Sequence, residues 1–165
     1  MVKKTKHRKS WQEKLADKKD LPKIIKCEEK GKFGPRWGLK AGDTLVIPSP
    51  IEVDEIMKNV EKGKVITTNE IRQILATKHK TTSACPMTTG IFTWMAAHAA
   101  EEAKCEGKEN ITPYWRTLKT NGMINPKYPG GIETQKKLLE KERHKVVQKG
   151  KNYVVADFEK YLVNL

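Results

Sequence analysis

Cysteine is scarce. Cys27, Cys85 and Cys105 are widely separated, odd in number and without a Cys-x-x-Cys pair. This argues against a disulfide framework and leaves no ligand spacing for a Cys/His zinc site, since His7, His79, His98 and His144 are equally scattered. No metal or other cofactor is expected. Long apolar runs are also missing. The longest, Ile91 to Ala100, is broken by Thr93 and His98 and falls short of the ~18 residues a membrane helix needs. The opening Met1-Val2-Lys3-Lys4-Thr5-Lys6 has no apolar stretch of the secretion-signal kind. The expectation is a soluble, cytoplasmic protein, nucleoid-associated if bacterial, with no membrane partner.

Acidic residues are in deficit. The 165-residue chain carries 20 of them against 33 Lys and Arg, a formal charge of +13. The excess is uneven: residues 1–40 hold 14 basic and 5 acidic residues, a net +9, and the remainder only +4. Such a segment neutralises phosphates and releases their counterions, which makes DNA the first partner to expect. The competing reading is a solvated tail that serves solubility. Apolar residues recur periodically after residue 45, and the length suits one folded domain with an appendage. The division expected is a basic, largely irregular extension over 1–44 and a domain over 45–165.

Within the extension, Ser10 to Ala16 reads as a short helix with Glu13 at the capping-box position and Trp11 and Leu15 on one face. Gly31-Lys32-Phe33-Gly34-Pro35-Arg36-Trp37-Gly38 is a basic loop whose aromatics suit either stacking on bases or pinning the loop to the domain. In the domain, a helix is expected from Ile51 to Asn59 with Ile51, Ile56 and Val60 inward, and a second from Thr68. Residues 77–84 read as a loop. A long helix follows, opened by Cys85-Pro86 and running to Ala103. Ile111 to Leu118 reads as extended. A helix covers Ile132 to Arg143, and Lys145–Val155 reads as a hairpin with a basic tip. Two helices, a polar turn and a hairpin are the parts of a winged helix-turn-helix; a plain helical bundle uses the same pattern.

Four short motifs follow in order: Gly63-Lys64-Val65-Ile66-Thr67, Pro113-Tyr114-Trp115-Arg116, Tyr128-Pro129-Gly130-Gly131 and Leu138-Leu139-Glu140-Lys141-Glu142. In this arrangement residues 50–147 resemble the C-terminal domain of the methylated-DNA–protein-cysteine methyltransferases and the related alkyltransferase-like proteins. The resemblance implies a mainly α, winged-helix-like domain with a small C-terminal hairpin. It implies DNA as partner, bound as duplex and largely non-specifically by a monomer, with a repair or lesion-sensing role. It also places a base pocket at Pro113, Tyr114, Trp115, Arg116, Tyr128, Gly130, Gly131 and Glu142. The DNA-contacting positions it implies are Thr67, Thr68, Asn69, Pro86, Met87, Thr88, Thr89 and Thr93.

The departures bear on chemistry. The family's acceptor cysteine and its histidine fall at Tyr114 and Trp115. A phenol of pKa ~10 with no adjacent base is a poor acceptor, and an indole N–H only donates. No catalytic residue is therefore assigned, and alkyl transfer is not expected. The family's intercalating arginine falls at Met87, read as packing in preference to an apolar wedge. The phosphate-pushing tyrosine falls at Thr68. The alternatives are an altered alkyl-transfer enzyme with another nucleophile such as Cys85, and a small-molecule or protein interaction module on the same fold.

Overall fold

The computed structural model of the chain describes residues 7–29 and 37–165, so the expected loop over 31–36 lies outside the described residues. Helices dominate: α1 (Trp11–Ala16), α2 (Pro50–Lys58), α3 (Thr68–His79), α4 (Pro86–Cys105) and α5 (Gly131–Lys141). The strands are short: β1 (Lys23–Lys26), β2 (Thr44–Ile47), β3 (Ile66–Thr67), β4 (Ser83–Ala84), β5 (Thr117–Leu118), β6 (Val146–Lys149) and β7 (Asn152–Val155). They form three small sheets. In the first, β2 pairs antiparallel with β1 and parallel with β4. β3 and β5 pair in parallel, and β6–β7 is the expected hairpin. None of the described helices is long and apolar enough to cross a membrane.

Three helix starts follow one sequence rule. Ser10, Ser49 and Thr67 are N-caps, and Glu13, Glu52 and Glu70 three residues later bond back to the cap backbone. Each reciprocal pair satisfies N–H groups that a helix start leaves free. Glu52 also reaches the far end of α3, where it accepts from Lys78 Nζ at 2.9 Å and meets His79 Nε2 at 2.6 Å. Burial opposes its charge, but Lys78, Ser49 and His79 together outweigh burial and hold its pKa at about 2.

The main core packs Val53 and Met57 of α2, Ile71 and Leu75 of α3, and Phe92, Ala96 and Ala97 of α4 around Tyr114 and Tyr128. A second cluster joins Val65, Leu118, Ile124, Leu139 and Val155 beneath the hairpin.

Several expectations are corrected. On α2 and just past its end, Ile56 and Val60 face the core as expected, but Ile51 is exposed and Val53 and Met57 are the fully buried residues. α3 runs on to His79, and Ser83–Ala84 adds a strand inside the stretch read as loop. The 111–118 stretch is not uniformly extended: Tyr114–Arg116 is a 3₁₀ turn that buries Tyr114. The segment ahead of residue 45 is partly regular, since β1 pairs with β2 and α1 packs on α4.

Candidate nucleic-acid interface

A groove of about 640 Å³ opens where the start of α3, the first turns of α4 and residues 119–128 converge. Thr68, Asn69 and Arg72 come from α3; Pro86, Met87, Gly90, Ile91, Thr93 and Trp94 from α4; Lys119, Thr120, Met123, Asn125, Lys127 and Tyr128 from the third wall. Arg72 is fixed at its edge, its Nε donating to the Ala84 carbonyl at 2.9 Å and Nη2 to Ser83 Oγ at 3.1 Å. Burial lowers the Arg72 pKa, although an arginine stays cationic throughout the physiological range.

α4 carries two apolar stripes. Phe92, Ala96, Ala97 and Ala100 face the core, while Met87 and Ile91, one turn apart, are 56% and 44% exposed. Met87 is therefore not a packing residue; it stands at the mouth of the groove. Proline at the first helical position launches α4, with Cys85 as its N-cap. Cys85 is buried.

Of the expected DNA-contacting residues, Thr68, Asn69, Pro86, Met87 and Thr93 line the groove. Two threonines of α4 expected to present outward turn inward instead. Thr89 is fully buried and donates to the Cys85 carbonyl at 2.7 Å. Thr93 is almost fully buried and donates to the Gly90 carbonyl at 2.8 Å, so it serves as groove floor rather than as a surface contact. Both hydroxyls bond back along their own helix, which satisfies them without leaving the core. The Thr88 hydroxyl is buried without a partner among the described residues. Thr67 is buried as the cap of α3. The groove also recruits residues the sequence reading did not assign to it, namely Arg72, Gly90, Ile91, Trp94, Lys119, Thr120 and Lys127. The signal was present on α4: Met87, Ile91 and Trp94 recur at helical spacing on a face separate from Phe92 and Ala96.

Of the expected base-pocket residues, only Tyr128 lines the groove. Tyr114 lies beside it, ring centroids 5.7 Å apart and edge-on, and is 1% exposed. Its hydroxyl points away, donating to Glu101 Oε2 at 3.4 Å. Burial, then the Glu101 charge and hydrogen bond, push this phenol pKa well above its ordinary value. Tyr128 is raised as well, chiefly by burial. Trp115 packs against both cores, and its Nε1 has no partner among the described residues. Arg116 grips Glu142 through Nε at 2.9 Å and Nη2 at 2.5 Å, and its Nη1 donates to the Val60 carbonyl at 2.7 Å. This pair is structural: it ties the 3₁₀ turn to α2 and α5.

Pro113 is buried at the entry to that turn. Gly130 and Gly131 take positive φ at the start of α5, and a Cβ on Gly130 would meet the Thr134 side chain at 2.0 Å. Their small size serves the helix start, not an approach to Tyr114. Among the described residues no group of three or more His, Cys, Asp or Glu side chains is placed to hold a metal ion.

Two of the lining residues, Trp94 and Lys127, are held from behind by His98 and by the N-terminal helix. Trp94 Nε1 donates to the Lys127 carbonyl at 3.1 Å, and His98 Nε2 bonds the same oxygen at 3.2 Å. Trp11 of α1 stacks on His98, centroids 4.7 Å apart, and meets Trp94 edge-on at 4.8 Å.

No protein-family model matches the chain, and comparison with curated proteins finds no match. Two solved structures are similar to it, each over 70% of this chain and 94% of the other, with a TM-score of 0.51. One is S. pombe Atl1 in complex with damaged DNA containing O6-carboxymethylguanine, at 20% identity. The other is S. pombe ATL in complex with DNA, at 19%. The chain has the fold of the alkyltransferase-like proteins.

Proposed function

We propose that the chain binds duplex DNA through the α3–α4 groove, without transferring an alkyl group to itself and with at most a modest preference for alkylated guanine. The observation that carries this is the exposed Met87–Ile91 pair at the mouth of a groove walled by Trp94 and Tyr128 and edged by Arg72, Lys119 and Lys127. Paired apolar side chains presented to solvent suit insertion between base steps, and flanking cations suit phosphates. The S. pombe relatives of the same fold were solved on DNA, one of them on an O6-alkylated guanine. In this reading α3 and α4 act as a helix-turn-helix, with the β6–β7 hairpin and its Lys149 and Lys151 as the wing.

Absence of transfer follows from the acceptor position. The Tyr114 hydroxyl is held protonated, buried against a carboxylate and turned away from the groove. The test combines two measurements on duplexes differing only in one O6-alkylguanine. Titration should show binding to both, with a preference for the lesion under about tenfold, because Met87 offers no cation to hold the gap left by an extruded base. Intact-protein mass should be unchanged after incubation. A stoichiometric gain of one alkyl group refutes the non-transferring reading, and absence of binding to either duplex refutes the DNA reading.

A further inference from the structure

We infer that the N-terminal helix braces the groove from behind its lining: Trp11 is a positioning residue that holds the Lys127–Tyr128 peptide through Trp94 and His98. The inference rests on the DNA-binding reading for its affinity consequence, but its geometry stands apart from it.

The Lys127 carbonyl is a single acceptor gripped by two donors, the Trp94 indole N–H and His98 Nε2. Both come from one face of α4, one turn apart, so the carbonyl sits wherever these rings sit. His98 must carry its proton on Nε2 to donate to a carbonyl. Both rings lie half-buried at the surface of α4. Trp11 packs on them there, stacked on His98 and edge-on to Trp94. Lys14 lies over the far side of Trp11, 4.2 Å from its centroid.

A six-residue helix does not hold itself in place. Here α4 holds it. The Glu102 carboxylate accepts the backbone N–H groups of Trp11 at 3.0 Å and Gln12 at 3.2 Å, and the Gln12 side chain at 3.0 Å. Burial works against the Glu102 charge, yet these donors outweigh it and keep the pKa below its ordinary value. Lys108 Nζ closes the latch on Gln12 Oε1 at 2.7 Å. A segment that sequence alone assigns to a basic extension thus fixes two groove residues, Trp94 directly and Tyr128 through the peptide that precedes it. The short α1 is costly to order for a mere appendage, and its aromatic face is spent on these two rings.

The test uses the full chain with Trp11→Ala, Trp11→Phe and His98→Phe. Backbone amide NMR reads the Lys127–Tyr128 peptide, and titration with a 20-base-pair duplex at two salt concentrations reads binding. Trp11→Ala should shift the Lys127 and Tyr128 amides while leaving those of the β6–β7 hairpin in place. It should weaken binding about three- to tenfold, the scale of an aromatic contact, with the salt slope unchanged because no cation is removed. Trp11→Phe should recover most of both. His98→Phe keeps a ring under Trp11 but loses one donor, and should shift the same amides; it decides the matter if Trp11→Ala does not fold. Unmoved Lys127 and Tyr128 amides, or a loss of affinity accompanied by a flatter salt slope, overturn the inference. If the wild-type chain binds no DNA, the DNA reading fails while the amide shifts still decide the role of Trp11.

Discussion

Removing Arg116 tests the reading that the Arg116–Glu142 pair is scaffold. The guanidinium is 14% exposed and its partner Glu142 only 6%. Arg116→Met keeps the side-chain length and deletes the fork, leaving a buried carboxylate without its cation and the Val60 carbonyl without its donor. Breaking a buried pair from one side costs about 3–5 kcal/mol, and the orphaned carbonyl adds roughly 1 kcal/mol. For a chain of this length that lowers Tm by roughly 10 °C or more. Urea and thermal unfolding followed by circular dichroism at pH 7 give the number. The double variant Arg116→Met/Glu142→Leu removes both charges and should recover most of the loss. A single-variant cost below about 1 kcal/mol, or strictly additive costs in the double, refutes the argument that this ion pair ties the turn to α2 and α5.

His144 is buried with both ring nitrogens unpartnered among the described residues; burial lowers its pKa, with the nearby Glu142 raising it and Arg116 lowering it. A base whose folded pKa is depressed loses stability as pH falls below the unfolded value near 6.5, because the unfolded chain binds the proton first. His144→Phe should flatten the fall of Tm between pH 6.5 and 5, and an unchanged slope counts against it. Met87→Glu should weaken duplex binding at least about tenfold while moving stability by less than about 0.5 kcal/mol, as Met87 is more than half exposed; calorimetry and titration check the two halves separately. Deleting residues 1–9 removes Lys3, Lys4, Lys6, Arg8 and Lys9. Since Lys9 is already paired with Asp17, the slope of log affinity against log salt should flatten by roughly 2, and no change would make the tail a bystander.

Much of the helical framework was legible because its signals are local. The Ser10–Glu13 and Thr67–Glu70 boxes, the proline opening α4 and the glycine turn of the hairpin each act within a few residues. The site was less legible, because it is made of distant pairs. Trp11 meets residues more than eighty positions away, and nothing in the local pattern of Ser10–Ala16 says which surface receives it. The resemblance places Thr89 and Thr93 outward on the DNA-facing helix, yet a threonine that bonds its own helix backbone buries as readily as an alanine. Met87 was assigned inward on hydrophobicity, which does not distinguish a core stripe from a second stripe on the opposite face. The two-residue strand β4 was invisible, and nothing in the extended stretch before Leu118 said that β5 would pair with β3, because these pairings are wholly tertiary.

The burial of Tyr114 also fixes what cannot be undone cheaply at that position. Tyr114 is the largest fully buried side chain of the described fold, in edge contact with Trp115 and Tyr128. Tyr114→Cys would leave a void the neighbouring rings fill only in part, at a cost of about 3–5 kcal/mol, the range for truncating a buried aromatic. The new thiol, several ångströms short of the place the phenol oxygen takes beside Glu101, would stand in a buried apolar setting that disfavours its thiolate. Filling the core and offering a reactive acceptor are therefore opposed demands at this position: a side chain bulky enough for the first supplies no ready nucleophile, and one small enough to be a thiol hollows the core.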